Sequence, residues 1–283
     1  MSTTTPQFNA SAIGQWTEPL EFEVTRERLK AYAAATNDPI EPHANGDFAS
    51  PVFAIVPAFQ IGGEATLKVI PGELLMMVLH GEHDFHFHGP ILPDSTVYTR
   101  SAPIGLHQRS SGVTVTVKSE TTDSEGKLLV EQYLVSFVRG ATAEESTGES
   151  APSHAFDDSL RERQPDSESS QTFDQDQTFR YAEASGDPMP IHLDDKLAKS
   201  VGLPGIIIHG MCTMAFTSVA LIEHACPDDP SRLRRLAVRF AKPTTPGQTI
   251  TTQIWDAGTG NYAYETTADD GAVVIKDGLA TVA

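Results

Sequence analysis

The sequence predicts an α+β protein built from two tandem units, each a helix wrapped by an antiparallel sheet. Three observations predict it. The segment Tyr32-Ala-Ala-Ala-Thr-Asn-Asp38-Pro39 aligns with Tyr181-Ala-Glu-Ala-Ser-Gly-Asp187-Pro188 at an offset of 149, which also sets His43 on His192. Pro51-Val-Phe-Ala-Ile-Val56-Pro57 then aligns with Pro204-Gly-Ile-Ile-Ile-His209-Gly210 at an offset of 153. That offset carries Phe85, Phe87, Pro90 and Pro93 onto Val238, Phe240, Pro243 and Pro246. Third, each copy follows this pattern with an apolar helical stretch and then several strand-like segments, the layout of one helix and an antiparallel meander.

In the first copy a helix is expected over residues 57–69, with Pro57 at a first position where a missing N–H costs nothing. Strands are expected near residues 82–88, 95–102, 113–121 and 128–138, with Asp123-Ser-Glu-Gly126 as a hairpin turn. In the second copy residues 209–225 are apolar almost all round, which demands burial on most sides. Strands follow over residues 233–241, 249–256, 262–268 and 272–282. Residues 141–171 are polar, acidic and without sustained apolar periodicity, so they read as a surface strap between units 1–140 and 172–283. The two units are expected to pair edge to edge as an internal pseudo-dimer, with further association into a homodimer left open.

Composition narrows the function. A formal charge of −18 argues against nucleic acid, whose phosphates need a basic surface. No apolar run reaches the ~18 residues of a membrane span. The polar start from Met1 to Pro6 lacks an apolar signal core, and a cytoplasmic location is expected. Cys212 and Cys226 fall on or near one helix, roughly 21 Å apart at ~1.5 Å per residue, beyond disulfide reach. Both are expected to be reduced, and Cys212 to be an inert buried thiol.

Asp187 and His192 lie in the loop Gly186-Asp-Pro-Met-Pro-Ile-His192, where two prolines remove freedom. A rigid loop can aim a carboxylate and an imidazole at one water molecule for general acid–base work. Taken alone, the pair also reads as a turn aspartate and a loop histidine satisfied by backbone. Gly210 opens the long apolar helix, where N–H groups lack intrahelical acceptors and carry the positive end of the dipole. Without a side chain it lets a carbonyl oxygen come close, the requirement for an oxyanion donor. Taken alone it also reads as a tight-packing glycine. The first copy has Pro57 and Val56 where the second has Gly210 and His209. Proline cannot donate, so the first copy reads as scaffold and the second as the active half. Asp38 then serves its Asn-Asp-Pro turn.

Tyr181-Ala-Glu-Ala-Ser-Gly-Asp-Pro-Met-Pro-Ile-His192 with Leu203-Pro-Gly-Ile-Ile-Ile-His-Gly-Met211 resembles the hydratase 2 motif of MaoC-like enoyl-CoA hydratases and dehydratases. The first half resembles the degenerate N-terminal domain of the double-hotdog members. The resemblance implies a double hotdog fold and reversible, (R)-specific hydration of trans-2-enoyl thioesters to 3-hydroxyacyl thioesters. It implies a catalytic dyad of Asp187 and His192, with the Gly210 N–H on the thioester carbonyl. One departure stands out: Met189 occupies a position where the family usually has asparagine. Tyr181, Met189, Pro190 and His209 are the expected substrate contacts from the motif.

Ser231 to Pro243 carries Arg232, Arg234, Arg235, Arg239 and Lys242 and no acid. Arg235, Arg239 and Lys242 are the expected partners for the phosphates of coenzyme A, or for an acyl carrier protein. Arg235 and Arg239 equally read as the charged outer face of an ordinary strand. No separate cofactor is expected, because coenzyme A belongs to the substrate. No metal is expected either: His80, His83, His86 and His88 lack a ligand spacing and read as solvent-side or interface histidines. Two other functions suit the same motifs, an acyl-CoA thioesterase and a non-catalytic acyl-thioester-binding protein.

Overall fold

The computed structural model describes residues 6–283; Met1–Thr5, most of the polar N-terminal stub, lies outside the described residues. The first copy comprises β1 (Leu20–Val24), α1 (Arg26–Ala35), α2 (Glu41–Ala44), α3 (Phe59–Leu67), β2 (Val78–Phe87), β3 (Ser95–Arg109), β4 (Gly112–Asp123) and β5 (Leu128–Arg139). The crossing segment holds β6 (Thr147–Gly148) and α4 (Asp158–Arg161). The second copy comprises β7 (Ser167–Thr172), α5 (Gln177–Ser185), α6 (Asp195–Ser200), α7 (Gly210–Ala225), β8 (Leu233–Phe240), β9 (Thr249–Gly258), β10 (Asn261–Ala268) and β11 (Val273–Val282).

The strands form one antiparallel sheet in the order β1-β3-β4-β5-β2-β8-β11-β10-β9-β7, with β6 pairing off the path with β3. The copies therefore meet edge to edge at β2 and β8. Asp84 stands opposite Ala237 in that pairing. These two residues are also related by the sequence offset of 153, so a pseudo-two-fold axis passes between them. Tyr32 and Tyr181, related by the other offset, confirm the axis: both are buried and their hydroxyls lie 3.3 Å apart. Joining the sheets this way leaves no exposed strand edge at the seam.

Alternation along the seam strands divides apolar from charged residues. Phe85, Leu236 and Val238 enter a core that both copies share with Tyr32, Phe53, Tyr181 and the whole run Met211–Ile222 of α7. A smaller second core lies under α3. That helix is shorter than residues 57–69 would allow: Pro51–Ile55 form a 3-10 turn, and the helix proper starts at Phe59. The Asp123 turn forms as expected, its carboxylate accepting from the N–H groups of Glu125 and Lys127, with Gly126 at φ 82°.

The outer face of the seam corrects one expectation. Arg235 does not wait for a phosphate: its Nε and Nη2 donate to the Asp84 carboxylate at 3.0 and 2.7 Å, and Asp84 also takes the His86 ring at 3.1 Å. Arg239 pairs with Glu82 at 2.8 Å and with Asp277. Two of the acids that balance this basic strand, Asp84 and Glu82, come from β2 of the other copy, more than a hundred residues away in sequence. The strap crosses the same face. Ser153 offers its carbonyl to Arg235, and His154 donates through Nδ1 to the Asp277 carbonyl at 2.6 Å. The strap ends in β7, an edge strand paired with β9, although Ser-Glu-Ser-Ser-Gln-Thr has no apolar residue to announce a strand.

Asp84 is 1% exposed, so removing its charge leaves Arg235 without its bidentate partner. Asp84→Ala should lower unfolding stability by about 3 kcal/mol, the usual cost of breaking a buried pair on one side, as read by urea denaturation.

Candidate active site

The site begins where α5 stops. Gly186 takes a left-handed φ of 74°, ending the helix, and Pro188 keeps Asp187 out of helical backbone. The first copy repeats the device with Asn37 at φ 49°. The Met189 N–H donates to Asp187 Oδ1 at 3.1 Å, and a 3-10 turn over Pro190–His192 brings the imidazole round. His192 donates through Nδ1 to the Ile207 carbonyl at 2.7 Å. A carbonyl only accepts, so the neutral ring carries its proton on Nδ1 and presents a bare Nε2.

His209 precedes α7 and is 1% exposed. Its ring stacks on that of His192 with centroids 3.7 Å apart and planes 24° apart. Its nitrogens lie 3.3 Å from the Thr178 hydroxyl and 3.3 Å from the Asp187 carbonyl. One carboxylate oxygen of Asp187 and one ring nitrogen each of His192 and His209 fall within 4.8 Å of one another. Both nitrogens of His209 face local partners, so the groups left for a ligand are the Asp187 carboxylate and His192 Nε2. At that spacing a single water can hydrogen-bond to both.

Burial raises the Asp187 carboxyl above its ordinary range, against the pull of the Met189 N–H and of His192. Burial also lowers His192, against the Ile207 carbonyl and Asp187. The two groups are thus pushed toward each other, which favours passing one proton between them. His209 is held neutral, down to about 3, first by burial and then by the neighbouring His192.

Gly210 is the first residue of the 16-residue α7 and is half-buried. Its N–H has no intrahelical acceptor and sits at the positive end of the helix. A Cβ there would meet the Phe240 ring at 3.3 Å, so the ring wall and the missing side chain fit each other.

The first copy shows the same residues closed upon themselves. His43 donates through Nδ1 to Asp38 at 2.8 Å, Ser50 donates to the same oxygen at 2.7 Å, and the Ile40 N–H takes the other at 3.0 Å. The carbonyl equivalent to that of Ile207 belongs to Ala54, and Gln132 Nε2 donates to it at 3.0 Å. Pro57 stands where Gly210 offers its N–H.

The other expected contacts divide. Met189 is 50% exposed beside the dyad, Pro190 is exposed there too, and Lys242 is exposed two residues beyond Phe240. Tyr181 is corrected: it is 1% exposed, its hydroxyl faces Tyr32, and its ring packs 4.9 Å from His209. It supports the site from behind. Cys212 is fully buried, and burial pushes its thiol far up, which makes it inert.

The four histidines divide: His88 is exposed and His86 partly so, as expected, but His83 is not solvent-side. His83 is fully buried. Because Gln132 must donate to the Ala54 carbonyl, its oxygen faces His83 Nε2 at 3.1 Å, and His83 Nδ1 then accepts from His80 Nε2 at 3.2 Å. Burial keeps both rings neutral, His80 down to about 4. The His80 ring meets Phe240 edge-on at 4.9 Å, so the first copy supports the Gly210 wall. The period-two placement of His83 with Phe85 and Phe87 was the signal for an inward face.

Comparison with known proteins gives the family of the chain. Residues 158–276 match the model of the MaoC like domain, and residues 42–140 match the MFE-2 hydratase 2 N-terminal domain. The chain is 30% identical to 3-hydroxyacyl-thioester dehydratase Y of Mycobacterium tuberculosis, covering 95% of this chain and 96% of that protein. It is 27% identical to a probable enoyl-CoA hydratase 2 of Dictyostelium discoideum, covering 94% and 93%. A crystal structure of a MaoC-like dehydratase from Phytophthora capsici superposes with a TM-score of 0.85 at 25% identity, over 97% of this chain and 99% of that one. The chain belongs to the MaoC-like hydratase and dehydratase family, in its double hotdog form.

His209 yields a stability prediction. The unfolded imidazole takes up a proton near 6.5 and the folded one only near about 3. Stability is therefore full above pH 6.5 and falls as pH drops toward 3, by up to about 1.4 kcal/mol per pH unit. His209→Gln should flatten the fall of stability between pH 6.5 and 4; equal slopes in both proteins would contradict the assignment.

Proposed function

We propose that this chain reversibly adds water to trans-2-enoyl-CoA thioesters, giving (3R)-hydroxyacyl-CoA. The observation that carries the reading is the convergence of the Asp187 carboxylate and the His192 ring, whose Nδ1 is taken by the Ile207 carbonyl, in the segments that lead into α7. Relatives named as enoyl-CoA hydratase 2 and 3-hydroxyacyl-thioester dehydratase support it.

The Gly210 N–H holds the thioester oxygen, drawing electron density from Cβ and stabilising the enolate. Water lies between Asp187 and His192 as two acceptors. As its oxygen bonds to Cβ, one of its protons passes to the dyad, and the C=C electrons move into the enolate. The dyad then returns a proton to Cα, so that one water is consumed and the enzyme is restored. Dehydration retraces the path. Coenzyme A enters as part of the substrate, and the net addition of water calls for no electron carrier. Met189, 50% exposed beside the dyad, offers an apolar surface that makes that side of the site less polar. Lys242 is exposed two residues beyond Phe240 and, with Arg235 and Arg239 paired to acids, is the remaining candidate for a phosphate of coenzyme A. We place the reaction in the cytoplasm, in keeping with two free cysteines.

With an enoyl-CoA of short chain length, Asp187→Asn and His192→Ala should each lower kcat by about a thousandfold. Asp38→Asn, in the closed copy, should leave activity within about twofold, below the range expected for a group that moves protons. Absorbance of the enoyl group should disappear without release of free thiol. Thiol release would instead identify a thioesterase, and tight binding without turnover a non-catalytic binder. The acid limb of the rate should lie above the ordinary carboxylate range, because burial raises Asp187 and its charged form is the base. A limb at or below that range would oppose the assignment.

A further inference from the structure

We infer that the first copy carries a second ligand site, built on His43, that takes a short hydroxycarboxylate. A half-enclosed cavity of about 50 Å³ lies between the stretch around Ser50 and the Pro230–Arg234 turn of the other copy. His43 lines it, is 1% exposed, and has no hydrogen-bond partner for Nε2. Asp38 fixes the proton on Nδ1, so Nε2 is a bare acceptor. A buried acceptor without a donor costs about 1–3 kcal/mol, which a ligand donor removes.

The remaining lining sets the ligand class. Phe48, Phe87, Ile91 and Val130 make the walls apolar. Ser231 and Arg234 stand at the exposed rim. Arg234 spends one nitrogen, Nη1, on the carbonyls of Ser231 and Leu233, which leaves Nε and Nη2 for a carboxylate. A molecule with a hydroxyl at one end, a short apolar middle and a carboxylate at the other meets all three. The volume suits roughly four water-sized groups, the scale of a three-carbon acid whose carboxylate stands at the mouth. The site is not a copy of the active one. The offset of 153 puts His80 and Gly81 where this cavity has Leu233 and Arg234, so its cation has no counterpart beside Asp187.

The test uses the full chain and the imidazole NMR signals of His43, identified with His43→Phe. Titration with 3-hydroxypropionate should shift them saturably, and propionate should bind at least about tenfold more weakly for want of the donor to Nε2. Arg234→Ala, on the exposed rim, should abolish binding of both acids while enoyl-CoA hydration stays unchanged. Equal affinity for the two acids, binding that survives Arg234→Ala, or no shift with either acid would overturn the site and leave water as its occupant.

Discussion

The hydrogen bond from His192 Nδ1 to the Ile207 carbonyl decides which half of this molecule can do chemistry. It turns the imidazole so that Nε2 and the Asp187 carboxylate both remain open to a ligand. In the first copy the same residue types make the other choice. His43 turns its Nδ1–H onto Asp38, Ser50 adds a second donor, and Gln132 occupies the carbonyl that His43 would need. A carboxylate so supplied with donors has its oxygens taken by the protein rather than left for a ligand. Two copies of one motif thus differ by a ring orientation fixed by its neighbours.

The closed copy still has structural work. Its strand β2 completes the sheet, Tyr32 closes the pseudo-axis against Tyr181, and Asp84 neutralises Arg235 across the seam. The His80–His83–Gln132 chain runs from the Ala54 carbonyl to the ring of Phe240, and Phe240 lies against Gly210. The wall of the active half is therefore held from the inactive one. Such cross-supply keeps the two units from drifting apart as independent domains, since neither buries its seam strand alone.

Much of this was legible in the sequence because both signals were local. The repeat gave the unit count and the edge-to-edge pairing of the units, but neither the choice of β2 and β8 for the seam nor their register, which depend on where the pseudo-axis crosses. Asp187, His192 and Gly210 could be named together because a Pro-fixed loop and a helix start each carry their chemistry within a few residues. What escaped was set by distant partners. Arg235 and Arg239 looked like free cations because Asp84 and Glu82 lie in the other copy. Tyr181 looked like a substrate contact because its partner Tyr32 lies on the pseudo-axis. β1 and β7 escaped because an edge strand paired on one side needs few apolar residues, and in β7 has none. The stacking of His209 on His192 depends on the fold bringing two loops together and leaves no mark in either.

The most direct measurement is a crystal structure of the chain with a 3-hydroxyacyl-CoA bound. The account predicts the 3-hydroxyl between the Asp187 carboxylate and His192 Nε2, with the thioester oxygen on the Gly210 N–H. A thioester seated instead against Asp38 and His43, or with its carbonyl turned away from the start of α7, would contradict it.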